Sequence, residues 1–231
     1  LPVFLWKRDS LSCYPCSMSL LTLVRHGQSQ WNLENRFTGW TDIPLSAQGE
    51  KDAVLTGRSL KGMMFHRAFT SRLIRTTRTL EILLKESGQG DIPVMFDSAL
   101  NERHYGDLQG LNKAETAEKY GAEQVRLWRR SYDTRPPNGE SMADCERRTT
   151  PFFLQYIFPH VLAGENVLIV AHGNSLRPIM KYLEKLDDEA AATREIGLCT
   201  PYVYTFEGKE MKGCDVREVP GVTTGKPVKG V

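Results

Sequence analysis

Two short, almost wholly apolar runs end in the same dipeptide. Leu20-Leu21-Thr22-Leu23-Val24 leads through Arg25 into His26-Gly27, and Val167-Leu168-Ile169-Val170-Ala171 leads into His172-Gly173. Apolar residues follow one another with little alternation, which marks strands buried on both faces. Such strands need helices over both sides of their sheet, and the rest of the chain supplies them. A helix is expected over residues 46–61, capped by Ser46, and another over 71–86, capped by Ser71, with Leu73, Thr77, Leu80 and Leu84 on one face. Residues 64–70 and Val94-Met95-Phe96 are further strand candidates, and two helical stretches fall within 111–132. Pro136-Pro137-Asn138-Gly139 breaks the chain. A long helix is expected from near Glu140, kinked or restarted at Pro151. Residues 174–186 read as the helix after the second run, with Pro178 tolerated in its first turn, and 202–206 as the last strand. This alternation predicts an α/β three-layer sandwich, a mostly parallel sheet covered by helices on both faces. Ligands bind such sheets at the carboxyl ends of strands, which puts His26 and His172 at one edge.

The chain has 231 residues, 40% of them hydrophobic, enough for one core. The expected catalytic domain is 18–212, with 1–17 an extension outside the fold and 213–231 a mobile tail poor in apolar residues. Formal net charge is +2 with Lys and Arg dispersed, so no nucleic-acid surface is expected and any anion site must be built locally. No apolar run reaches the roughly 18 residues of a membrane span. The stretch Leu1-Pro2-Val3-Phe4-Leu5-Trp6-Lys7-Arg8 is too short for a signal peptide, with its charges on the wrong side. Five irregularly spaced cysteines argue against a disulfide framework and for a reducing, cytoplasmic compartment. Cys13-x-x-Cys16 lacks a second ligand pair and the strand-turn-helix context of a redox motif.

One histidine at a strand end carries little information; two at equivalent positions carry more. Each is followed by glycine, which lets backbone N–H groups approach a ligand closely. Arg25 precedes the first, and its planar fork of donors suits phosphate or carboxylate. A metal site of His26, His172, His104 and Glu102 is the competing reading. Arg25 disfavours it, because a fixed positive charge repels a dication, and no His-x-x-x-His or Asp-x-His pair occurs. Phosphate chemistry is therefore favoured over metal chemistry.

Longer segments carry a resemblance. Leu23-Val24-Arg25-His26-Gly27-Gln28-Ser29-Gln30-Trp31-Asn32, Asn35-Arg36-Phe37-Thr38-Gly39-Trp40, Asn101-Glu102-Arg103-His104-Tyr105-Gly106 and Ala171-His172-Gly173-Asn174-Ser175 closely resemble the cofactor-dependent phosphoglycerate mutases of the histidine phosphatase superfamily. Arg-His-Gly alone marks the superfamily; the second and third segments are more specific to the mutases. The resemblance implies that His26 accepts a phosphoryl group, that His172 stabilises it in transfer, and that Glu102 gives and takes the proton. It implies that Arg25 and Arg75 hold the phosphate, helped by Asn32, Gly173 and Asn174. It assigns the rest of the substrate to Thr38, Gly39, Tyr105, Lys113, Arg129 and Arg130, with Gln28 and Ser29 beside them. The implied cofactor is 2,3-bisphosphoglycerate as primer, without a metal; the implied partners are small phosphoglycerates, and the implied assembly is a monomer or homodimer.

Each of these side chains has a plainer use. Glu102 could pair with Arg103 at the surface, Arg75 could share a solvated face with Arg72 and Arg78, and Arg129-Arg130 could be a solvated helix end. Lys113 sits near a helix start, where its charge opposes the dipole, a mild sign of another task. The chain also departs from the mutases it resembles. Gln28 stands where many have Glu, the passage from Pro137 to Glu140 is short, and Cys199-Thr200-Pro201 replaces a more usual Thr-Gly-Ile-Pro. Residues after Gly213, with Lys226 and Lys229, could close over the site. Rival readings are a bisphosphoglycerate synthase, disfavoured by Ser29, a broad histidine phosphatase, and a catalytically dead phosphopeptide-binding or scaffold domain, disfavoured by retention of His26, Glu102 and His172.

Overall fold

The computed structural model describes residues 18–223. The strands are β1 (Met18–Arg25), β2 (Arg67–Thr70), β3 (Val94–Phe96), β4 (Val167–Ala171), β5 (Pro201–Glu207) and β6 (Glu210–Val216). They form one sheet in the order β3-β2-β4-β1-β5-β6. The first four are parallel neighbours, β5 runs antiparallel to β1, and β6 antiparallel to β5. The helices are α1 (Gln30–Leu33), α2 (Ala47–Ser59), α3 (Ile74–Ser87), α4 (Lys113–Tyr120), α5 (Ala122–Arg130), α6 (Met142–Phe152), α7 (Phe158–Leu162), α8 (Gly173–Glu184) and α9 (Asp188–Thr193). None of them is long and apolar enough to cross a membrane.

The continuous apolar runs are explained by two separate cores. Leu21 and Leu23 of β1 and Val167, Ile169 and Ala171 of β4 join Leu176, Ile179 and Met180 of α8 and Phe153 and Ile157 beyond α6. Val24, Leu168 and Val170 face the other side, with Leu60 and Met63 from the turn after α2 and Leu80, Leu83 and Leu84 from α3. Both faces of the two strands are thus dry, and each fully buried Leu or Ile contributes about 1.5–3 kcal/mol. A third, small core of Phe37, Leu108, Val125 and Trp128 supports α4 and α5.

Three expectations need correction, and one is met in an unexpected form. Ser71 does not cap α3, whose N-cap is Leu73 with no side-chain cap bond; the Ser71 hydroxyl is taken by the site instead. The helix expected from near Glu140 is present from Met142, capped by Ser141, and the expected break at Pro151 takes the form of a π-helical turn over Phe153–Ile157 before α7. Pro151 lacks the N–H that the regular ladder needs, which accounts for the break. The strand candidate 64–70 shortens to β2. The first residues of the expected mobile tail, 213–216, instead complete β6, in register with β5 through Thr205↔Gly213 and Tyr202↔Val216, and residues 224–231 of that tail lie outside the described residues. An exposed edge strand is held by its backbone ladder, so low apolar content was no guide. The expectations for residues 1–17, Lys226 and Lys229 lie outside the described residues.

Candidate active site

The parallel ladder of β1 and β4 ends in a bond from His26 N–H to Ala171 O of 3.0 Å, which sets His26 beside His172. Their ring centroids are 5.0 Å apart, and the residues are 2% and 0% exposed. His26 Nδ1 lies 2.7 Å from Gly27 O, and a carbonyl only accepts, so Nδ1 carries the proton and Nε2 keeps its lone pair. Burial, then Arg75 and Arg25, push the His26 pKa well below the usual value, so the ring is neutral. The tight turn after it depends on glycine: a Cβ on Gly27 would lie 2.5 Å from Gly49 O at the start of α2.

His172 is fixed from both ends. Arg75 Nε donates to its Nδ1 at 3.2 Å, so Nε2 bears the hydrogen and donates to Ser71 Oγ at 2.8 Å. Ser71 in turn meets Thr76 Oγ1, whose own hydrogen goes to Leu73 O. Burial first, then Arg75, His26 and Arg25, hold His172 well below the usual imidazole range. Arg75 itself is 1% exposed, unlike the solvated Arg72 and Arg78, and donates its terminal nitrogens to Thr41 O and Gly39 O. Burial lowers its pKa to about 10, where it still carries charge at neutral pH. Gly39 has φ 55°, and a Cβ there would strike Gln109, so this carbonyl is presented by a residue that must lack a side chain.

Glu102 completes the cluster. It is not paired with the Arg103 guanidinium; its Oε1 accepts from the backbone N–H groups of Arg103 (2.9 Å) and Asn174 (3.1 Å), the latter at the start of α8. The loop bearing it is gripped by Arg148 of α6, which donates to the carbonyls of Ala99, Asn101 and Glu102 and forms a two-point ion pair with Glu140. The ligating atoms of His26, Glu102 and His172 lie within 4.8 Å of one another, a spacing a metal ion could also use. Arg25 and Arg75, whose charge already opposes protonation of both rings, favour an anion there instead.

From Glu102 the site opens into a cavity of about 110 Å³. That is small beside the roughly 300–1,000 Å³ of drug-sized pockets. It is lined by Arg25, Asn32, Arg36, Thr38, Gly39, Tyr105, Lys113, Arg129, Arg130, Gly173, Asn174, Arg177 and Glu195, among others. The buried Arg25 Nε and Thr38 Oγ1 have no hydrogen-bond partner, so two donors in this wall are available to an anionic ligand. Burial lowers Lys113, at the first position of α4, to about 8. Burial raises the Tyr105 phenol, but the charge and hydrogen bond of Arg103 outweigh that and bring it to about 8. A larger groove of about 890 Å³ runs between α2 and α3, lined by Val54, Leu55 and Ile82 and by charges that include the Arg78–Glu50 pair. It lacks convergent donors, so size does not mark the site.

The expected residues therefore meet, with two exceptions. Gln28 Oε1 accepts from Ser46 Oγ, and the Ser29 hydroxyl caps α1 through Asn32 N–H. Both brace the loop after β1 and neither lines the cavity. Sequence reasoning passed over Ser71, Arg148, Arg177 and Glu195. Arg177 follows His172-Gly173-Asn174 by one helical turn, a spacing that could have found it. The others reach the site only through sheet order and helix packing.

Residues 21–215 match the family model of the histidine phosphatase superfamily, branch 1. The chain belongs to the histidine phosphatase superfamily. Within it, a 2,3-bisphosphoglycerate-dependent phosphoglycerate mutase 2 from Gloeobacter violaceus is 50% identical over 209 residues, 88% of this chain and 95% of that protein. A 2,3-bisphosphoglycerate-dependent phosphoglycerate mutase from Nitrobacter winogradskyi is 55% identical over 190 residues, 81% and 92% of the two chains. Among solved structures, YhfR of Bacillus stearothermophilus aligns with a TM-score of 0.75 at 27% identity, covering 86% of this chain and 96% of that one. A mycobacterial glucosyl-3-phosphoglycerate phosphatase aligns at 0.72 and 25%, covering 86% and 98%. Mutases and phosphatases of the superfamily share this fold, so the choice between them belongs to the site.

Proposed function

We propose that the chain interconverts 3-phosphoglycerate and 2-phosphoglycerate, in glycolysis and gluconeogenesis, through a phosphohistidine on His26 primed by 2,3-bisphosphoglycerate. One observation carries this reading. The imidazole pair and Glu102 open into a cavity that Lys113, Arg129 and Arg130 line, giving positive charge for a second anionic group that simple hydrolysis of a phosphate ester does not require. The similarity to curated mutases over nearly their whole length supports it.

The neutral Nε2 of His26 forms a bond to phosphorus as the ester oxygen leaves, which divides one isomerisation into two transfers. With His26 already loaded, Glu102 removes the proton of the accepting hydroxyl in the first transfer and, in the second, returns it to the ester oxygen that leaves as the freed Nε2 takes a phosphoryl group back. Charge on the equatorial oxygens is met by the N–H groups of Arg25 and Arg75 that no protein acceptor takes, while His172 must give up the bond from its Nε2–H to Ser71 Oγ in order to donate to them. The bisphosphorylated primer supplies the phosphoryl group that loads His26 before substrate arrives. Arg25 and Thr38, with their unpaired donors, and the cations of α4 and α5 would hold its anionic groups. In this scheme guanidinium groups provide what a metal would, and no nucleic acid or membrane takes part. We place the reaction in the cytoplasm, in a monomer or homodimer.

The test is conversion of 3-phosphoglycerate to 2-phosphoglycerate with and without trace 2,3-bisphosphoglycerate, in the presence of a chelator. Turnover stimulated by primer and resistant to chelator is expected, with His26→Ala inactive and carrying no acid-labile phosphate. Inorganic phosphate as the main product would replace the mutase with a phosphatase, and abolition by chelator would restore the metal reading.

A further inference from the structure

Glu195 is a carboxylate in a cavity otherwise suited to anions. Six cationic side chains line that cavity, and the other carboxylate there is Glu102, which the proposed chemistry uses. Glu195 is not delivered by a loose surface segment. Arg177 Nε donates to Arg194 O at 2.9 Å and Arg25 Nη1 donates to Ile196 O at 3.0 Å, so the carbonyls on either side of Glu195 are clamped. Both clamping arginines line the same cavity. The site itself therefore sets where this carboxylate stands.

Glu195 Oε1 accepts from Arg130 Nη2 at 2.7 Å. Its charge also reaches Arg25 and Arg129, supporting the protonated form of each against burial. The side chains of Arg130 and Glu195 are 25% and 62% exposed, which puts the pair at the mouth, where a ligand can replace either partner.

We infer that Glu195 is an internal competitor for Arg130 that sets how tightly this site holds its ligand. It holds the guanidinium when no ligand is present, yields it to the anionic end of the ligand, and takes it back on release. The choice of ligand rests on the mutase reading. A bound bisphosphorylated intermediate that must turn over within the cavity needs cations that let go as well as grip. A carboxylate beside Arg130 makes each release easier, at the expense of affinity.

The test is calorimetric titration of the full chain with 3-phosphoglycerate at low ionic strength, for wild type, Glu195→Gln, Arg130→Gln and the double variant. Glu195→Gln keeps the shape and removes the charge. It should bind about threefold to fivefold more tightly, the range of an exposed ion pair, with the gain shrinking as salt is added. In the Arg130→Gln background the same substitution should give little of that gain. Equal or weaker binding by Glu195→Gln overturns the inference, and so does a gain of full size without Arg130. Absence of binding in every variant overturns both this inference and the mutase reading. Isomerisation is assayed separately: a chain that shows the coupling but no mutase turnover keeps the inference and loses the mutase.

Discussion

At His26 the hydrogen bond decides as much as the burial does. Because Nδ1–H is committed to Gly27 O, the lone pair is left on Nε2, and the depressed pKa keeps it there through the neutral range. The alkaline limb belongs to other residues. Lys113 and Tyr105 both titrate at about 8. As pH rises through that value, Lys113 loses a positive charge and Tyr105 gains a negative one, and both changes weaken attraction for an anion. The expected profile is a fall in kcat/KM above pH about 8 with a smaller fall in kcat, since kcat/KM reports the free enzyme. Lys113→Met should lower kcat/KM at pH 7 and flatten the limb; a kcat/KM that climbs to pH 9 would contradict the assignment. At this scale the sequence was legible where a motif carries its own meaning, as in Arg25-His26-Gly27 and Glu102. It was silent on Ser71, which resembles a helix cap until β2 is placed beside β4.

At the level of elements, α6 positions the loop of the proton carrier. One guanidinium, Arg148, collects the carbonyls of Ala99, Asn101 and Glu102, and Glu140 holds it by two points while also accepting from His104 N–H. Removing it leaves partly buried carbonyls and a carboxylate without partners, at about 1–3 kcal/mol for each group that water cannot reach. Arg148→Leu should lose about 2–4 kcal/mol of stability by urea denaturation, and its kcat should fall more than its KM rises because Glu102 shifts. Arg148→Lys should recover part of the stability but less of kcat, since a point charge cannot replace the planar fork. Equal recovery of both would make Arg148 a packing residue only. The helices themselves were readable from periodicity and caps, as α2 with Ser46 illustrates. The break at Pro151 was readable too, though not its π-helical form, and the edge strand β6 was not readable, because it is held by backbone pairing rather than by an apolar pattern.

For the whole molecule, two neutral histidines in the interior link stability to pH. Both have folded pKa values well below their unfolded value of about 6.5. Stability is therefore greatest above that pH and falls as pH drops, because the unfolded chain takes up protons that the native state refuses. The expected slope is about 1.4 kcal/mol per pH unit for each ring. Urea midpoints between pH 7.5 and 5 would measure it, and His172→Gln should remove about half of this contribution; an unchanged slope in that variant would show that other groups dominate. The sequence by itself determined five of the six strands, most of the helices, and the residue types able to carry phosphoryl chemistry, because local apolar periodicity and short motifs encode them. Only the tertiary structure decided which residues share the site. It joined Ser71 to His172, Arg148 to Glu102 and Glu195 to Arg130, pairs that lie dozens of residues apart in the chain. Sheet order and helix packing fix such meetings, and neither has a signature in any short window of sequence.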